Sequence, residues 1–123
     1  MPLIPQIREE DASPEIASIY ADIKIVSGLS VVNLIWRHFA VYPGVLPWAW
    51  NAASPIVGST AMESATRWTI ETLRLPPIEP IEPEAQRRAH LTPSDVRNIR
   101  AVVETYLRGN LINLIALTAL KMR

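Results

Sequence analysis

The sequence predicts an all-α protein, a compact bundle of five or six helices in a single domain spanning residues 1–123. Three observations lead there. Apolar residues recur at spacings of three and four along most of the chain, the period of a helix with one buried face. The stretches carrying that period open on capping residues and close on glycine or proline. No segment alternates apolar and polar residues as a half-buried strand does.

Residues 1–12 read as an extended polar arm, with Pro2 and Pro5 followed by Glu9, Glu10 and Asp11. Ser13-Pro14 starts the first helix, the serine as N-cap and the proline at the first helical position, where its missing N–H costs nothing. Ile16, Ile19, Tyr20 and Ile23 form its apolar stripe, and Gly28 is the expected stop. Ser30 is placed to cap a second helix running to about Tyr42, with Val32, Ile35, Phe39 and Tyr42 on one face. Pro43-Gly44 breaks the chain. A third helix begins near Val45, with Pro47 in its first turn, and ends around Ser54-Pro55 or Gly58. Thr60 and Glu63 have capping-box spacing and open a fourth, which runs to about Leu73.

Residues 75–92 form a proline-rich connector, and five of the eleven prolines fall between 75 and 93. One short helix over Glu84–Ala89 is expected inside it. Thr92-Pro93-Ser94-Asp95 then supplies cap, proline and capping-box acid in order. Val96, Ile99, Val103 and Tyr106 are the predicted buried stripe of the next helix, which Gly109 should end. Asn110 would cap a last helix, LINLIALTAL, apolar on nearly every side and so expected to be surrounded by protein.

Composition narrows the function. Twelve basic residues balance twelve acidic ones, which denies the chain the positive field of a nucleic-acid binder. Arg87, Arg88, Arg97 and Arg100 alternate with Glu82, Glu84, Asp95 and Glu104, the pattern of a solvated helix face. With no cysteine there is no disulfide, thiolate nucleophile or thiolate metal site, and a reducing cytoplasm is the expected location. The start MPLIPQIREED lacks the basic and apolar regions of a secretory signal, so it is expected to be a mature N-terminus. The longest apolar stretch, near Leu111–Leu120, falls short of the ~20 residues that span a bilayer, so a soluble protein without membrane partners is expected.

The two histidines, His38 and His90, share no metal-binding spacing, and the four glycines form no phosphate-cradling loop. No metal and no cofactor are expected. Polar residues embedded in apolar segments are the remaining signal. Asn33 and Arg37 stand four apart and can project together from the second helix. Asn110 and Asn113 open the otherwise apolar final helix, and buried amides mark structural networks or a ligand site. The commonplace accounts are a helix cap for Asn110 and an exposed helix strip for Asn33 and Arg37. Trp36, Trp48, Trp50 and Trp68 are expected in the core, where their area is most useful.

The run YADIKIVSGLSVVNLIWRHFAVYPGVLPWAW, Tyr20–Trp50, resembles the N-terminal repeat of the D,L-2-haloacid dehalogenase family, and YLRGNLINLIALTAL, Tyr106–Leu120, resembles the end of the same repeat. The resemblance implies an all-helical fold in which two repeats pack as a pseudo-dimer with the active site between them. It implies direct hydrolysis of small 2-halocarboxylic acids, an aspartate acting as general base on a water that displaces halide. Asn110 matches the family's asparagine in the Gly-Asn step, where it would orient water or substrate. Asn33, Arg37, Trp36 and Tyr106 are the expected substrate-binding residues around it. Val31 stands where the family carries a pocket tryptophan. The family's catalytic aspartate belongs to the second repeat, and its equivalent position here, near Asn33–Ile35, holds no acid. Asp22, Glu63 and Glu104 are expected on the polar sides of their helices. One repeat would expose the surface that normally meets the other, so a homodimer is expected. A fragment of a longer two-repeat protein, and a non-catalytic helical module binding a short carboxylic acid or a partner chain, stay open beside it.

Overall fold

The computed structural model describes residues 3–74, 76–77 and 79–122. A 3-10 turn at Glu9–Asp11 precedes six α-helices: α1 (Pro14–Ser27), α2 (Leu34–Phe39), α3 (Val45–Val57), α4 (Thr60–Thr72), α5 (Pro83–Arg88) and α6 (Pro93–Lys121). The fold is all-α, and no strand occurs among the described residues.

Local chemistry sets the helix ends. Ser13 Oγ accepts the Ile16 N–H, and Gly28 closes α1 with φ +70°, a conformation that strains residues bearing a Cβ. Thr92 and Asp95 form a full capping box at the start of α6. For α4 the cap is Ser59, whose hydroxyl accepts from Met62 N–H, so the Thr60–Glu63 capping box is corrected by one position. α3 runs through Pro55 to Val57 and closes at Gly58, whose N–H donates to Ser54 O at 3.0 Å.

α3 lies at the centre and packs against α1, α2, α4 and α6. Tyr20, Ile23, Trp36 and Leu46 are the largest fully buried side chains. Trp36 meets Trp50 edge-on at 5.3 Å and Phe39 at 5.9 Å, the offset that the aromatic quadrupole favours. Trp48 and Trp68 lie on the surface instead, since single exposed apolar residues are tolerated where the core is already filled.

Two expectations about helix boundaries are overturned. The second helix begins at Leu34, not near Ser30. Val32 donates its N–H to Glu9 Oε2 of the arm at 3.2 Å, and Leu29, Val32 and Asn33 are buried in extended or irregular backbone before the helix starts. Gly109 does not end a helix: α6 continues through it, so Asn110 is a mid-helix residue and not a cap. The reason is packing. A Cβ on Gly109 would stand 2.9 Å from Leu29 Cδ1 and 3.0 Å from both amide atoms of Asn33. The glycine allows α6 to approach the 29–33 segment.

The burial of α6 differs as well. Its core-facing residues are Gly109, Ile112, Asn113 and Ala116. The predicted buried stripe lies roughly 110° around the axis at 3.6 residues per turn. Val96 is half-buried, while Ile99, Val103 and Tyr106 are exposed. The LINLIALTAL segment is not enclosed on all sides either, with Leu114 65% exposed.

Candidate active site

The site is built where the N-terminus of α2 meets the middle of α6. Asn33, the residue before α2, donates from Nδ2 to Asn110 Oδ1 at 3.4 Å. One turn further on, Trp36 Nε1 donates to Asn113 Oδ1 at 3.1 Å. An indole N–H can only donate, so it fixes which end of the Asn113 amide faces α2. These are two parallel bridges between residues 77 apart in sequence, and Gly109 lets the helices come close enough to form them. Asn33 and Asn113 are buried, whereas Asn110 is exposed. With Oδ1 turned to Asn33, Asn110 keeps its amide N–H groups for whatever lies on the open side.

The other predicted site residues fall around this pair in different ways. Trp36 is 1% exposed, so it touches Asn113 and the core rather than the open side. Tyr106, 53% exposed, lies one turn before Asn110 on the same face of α6. The Arg37 side chain makes no hydrogen bond to Asn33 or Asn110 among the described residues, its backbone N–H alone donating to Asn33 O at 3.3 Å, and the residue lies under the N-terminal arm. Its carbonyl accepts Ile7 N–H at 3.0 Å, and its Nε is buried without a partner among the described residues. Nearby, Tyr20 donates its hydroxyl to Ile7 O at 2.8 Å, and Glu9 accepts from Lys24 Nζ at 2.7 Å. Burial pushes the Glu9 carboxyl up. The hydrogen bonds from Lys24 and the Val32 amide, with the charges of Lys24 and Arg37, outweigh it and hold the group below its ordinary value. Burial raises the Tyr20 phenol, with Glu9 adding to that effect and Arg37 opposing it.

The contacts of Glu9 with Lys24 and Val32 escaped sequence reasoning, because a run of three acids near a terminus looks like solvated surface. Asp22 is exposed on α1, and it also accepts Trp50 Nε1–H at 2.7 Å, which ties α1 to α3. His38 Nδ1 donates to Pro5 O at 2.8 Å, which occupies it structurally. Among the described residues no group of three or more His, Cys, Asp or Glu side chains is placed to hold a metal ion, and no helix is long and apolar enough to cross a membrane. No carboxylate hydrogen-bonds to Asn33 or Asn110 among them.

No family model matches the chain. It is 28% identical over 118 residues to a configuration-inverting 2-haloacid dehalogenase of Alcaligenes xylosoxydans xylosoxydans, a match covering 94% of this chain and 40% of that protein. Two solved structures share its fold with a TM-score of 0.78 and 24% identity, covering 97% of this chain and 42% of theirs. One is a D-2-haloacid dehalogenase mutant with D-2-CPA, the other a D-2-haloacid dehalogenase with L-LA. The chain resembles the 2-haloacid dehalogenases. It spans about two fifths of the length of these relatives, as a single repeat of a two-repeat architecture would. In this haloacid dehalogenase-like chain the Gly109-Asn110 step lies at the bridged contact of α2 and α6.

Proposed function

We propose that this chain is one repeat of a haloacid dehalogenase type, the N-terminal one, and that it acts as a cofactor-independent homodimer hydrolysing small 2-halocarboxylic acids. The observation that carries the proposal is the Asn33–Asn110 bridge. It holds a carboxamide on the open face of α6 with its N–H donors outward, where the family resemblance puts the residue that orients water or substrate. In the reaction the water oxygen bonds to C2 and the carbon–halogen bond breaks. The halide leaves with the electron pair, and the water's proton passes to a base. The resemblance assigns that base to an aspartate of a second repeat. In a homodimer the acceptor is a carboxylate of the second copy or solvent. Asn110 orients, Asn33 holds Asn110, and Trp36 acts through Asn113. Arg37, with a buried Nε lacking a partner among the described residues, and the exposed Tyr106 serve the substrate carboxylate and its surroundings.

The missing carboxylate at the Asn33–Asn110 bridge favours a second reading. The chain is then a non-catalytic module binding a short carboxylic acid, or half of an enzyme whose base lies elsewhere. Halide release from each enantiomer of 2-chloropropionate by the purified protein separates the two. The hydrolase predicts release that Asn110→Ala reduces at least tenfold. Binding of 2-chloropropionate without any halide, by a protein with intact helical circular dichroism, supports the module.

A further inference from the structure

The N-terminal arm is tied to α2 and the residue pair before it in reversed order along the chain. His38 Nδ1 donates to Pro5 O at 2.8 Å, Ile7 donates its N–H to Arg37 O at 3.0 Å, and Glu9 Oε2 accepts the Val32 N–H at 3.2 Å. These contacts fall on every second residue of the arm, as an extended segment with one side turned inward presents them. Ile7 and Glu9 are accordingly half-buried between exposed neighbours. α1 grips the same segment from its other side, with Tyr20 donating its hydroxyl to Ile7 O at 2.8 Å and Lys24 Nζ donating to Glu9 Oε1 at 2.7 Å.

α2 needs that support. A helix of six residues holds too few internal hydrogen bonds to fix itself. Its N-cap, Asn33, makes no side-chain hydrogen bond to the first turn, and its amide is directed at Asn110 instead. Glu9 supplies a hold at the preceding residue. Val32 is 2% exposed, so water is not at hand to replace a lost partner of its N–H. The Asn33–Asn110 bond is 3.4 Å long, beyond the usual range of N–H···O bonds, so a small displacement of Asn33 ends it.

We infer that Glu9 is a positioning residue of the candidate site: through the Val32 N–H it holds Asn33 where the Asn33 amide fixes Asn110. The inference deepens the proposed function and, for its effect on the reaction, rests on it. The two oxygens of the Glu9 carboxylate have separate tasks. The one on Lys24 anchors the arm to α1, and the one on Val32 reaches the site.

Nuclear magnetic resonance of the full chain tests it, with the side-chain amide signal of Asn33 as the readout. Asn110→Ala removes the acceptor and marks where that signal lies when the bridge is broken. Glu9→Ala should move the signal to the same place, with helical circular dichroism unchanged. Glu9→Gln keeps an oxygen for the Val32 N–H and should return the signal to its place in the unaltered protein. Lys24→Met breaks the ion pair alone and should leave the signal where it was. Equal shifts from Glu9→Ala and Lys24→Met, the mark of a simple anchor, overturn the inference, as does a signal that Glu9→Ala leaves unmoved. Should Glu9→Ala fail to fold, Glu9→Asp, charged but one methylene short of Val32, should move the signal in the same direction, and no movement overturns the inference. Halide release adds a second reading. Glu9→Ala should slow it, and the double variant Glu9→Ala/Asn110→Ala should be no slower than Asn110→Ala, because both act on one group. Additive losses overturn the positioning role. An unaltered protein that releases no halide defeats the hydrolase, and the Asn33 signal still decides the role of Glu9.

Discussion

Gly109 shows how one missing side chain shapes this molecule. The 2.9 Å and 3.0 Å approaches that a Cβ would make are to Leu29 and Asn33, both buried residues of the 29–33 segment. Gly109→Ala should therefore destabilise the protein by about 1–3 kcal/mol, the typical cost of overpacking, despite the gain in helix propensity. Urea denaturation measures this, and an unchanged or raised midpoint would contradict the close approach. Trp36→Phe keeps most of the aromatic volume but removes the donor to Asn113, whose carbonyl oxygen is then buried without its partner. A loss of roughly 1–3 kcal/mol is expected from that group alone, read by the same measurement. At this scale the sequence was partly legible. Asn33, Asn110 and Asn113 stand out as amides in apolar surroundings. Gly109 was not legible as a packing residue, because a glycine ahead of an asparagine has the local form of a helix stop. What overrides that form is a contact with residues some eighty positions earlier.

Helix starts were the most readable elements, since Ser13-Pro14 and Thr92-Pro93-Ser94-Asp95 settle their geometry within four residues. Thr92→Ala should lower stability by about 0.5–2 kcal/mol, checked by thermal unfolding. The start of α2 was not readable, because Val32 N–H is taken by the distant Glu9. That contact makes the arm sensitive to acid. The Glu9 carboxyl is held below its ordinary value in the folded protein. Its stabilising contribution is therefore present above roughly pH 4.3, the usual glutamate range, and is lost as pH falls through the lowered folded value. The Asp95 carboxyl, lowered by its hydrogen bonds from the Thr92 backbone and hydroxyl, acts in the same direction. Stability measured from pH 7 down to 3 should fall at the acid end, and Glu9→Gln should flatten that fall. An identical acid profile in the variant would detach the arm from the effect.

For the whole molecule, helical period and breaks were enough to fix the all-α class. They did not fix which side of α6 meets the core. Two apolar stripes on one helix look alike in sequence, and only packing against the 29–33 segment, α2, α3 and α4 selects Gly109, Ile112, Asn113 and Ala116 as the inner one. The stripe left over includes the face of Asn110, so the open surface and the candidate site adjoin. That adjacency underlies the view of this chain as half of a catalytic pair. The most direct test is a single turnover of 2-chloropropionate, with protein in excess, in water labelled with heavy oxygen, followed by mass spectrometry of the hydroxy acid. Direct attack by water oriented at Asn110 predicts one labelled oxygen at C2 in the first turnover, and none of this product with Asn110→Ala. Absence of hydroxy acid from a folded dimer, or a first-turnover product whose C2 oxygen is unlabelled, would contradict the account.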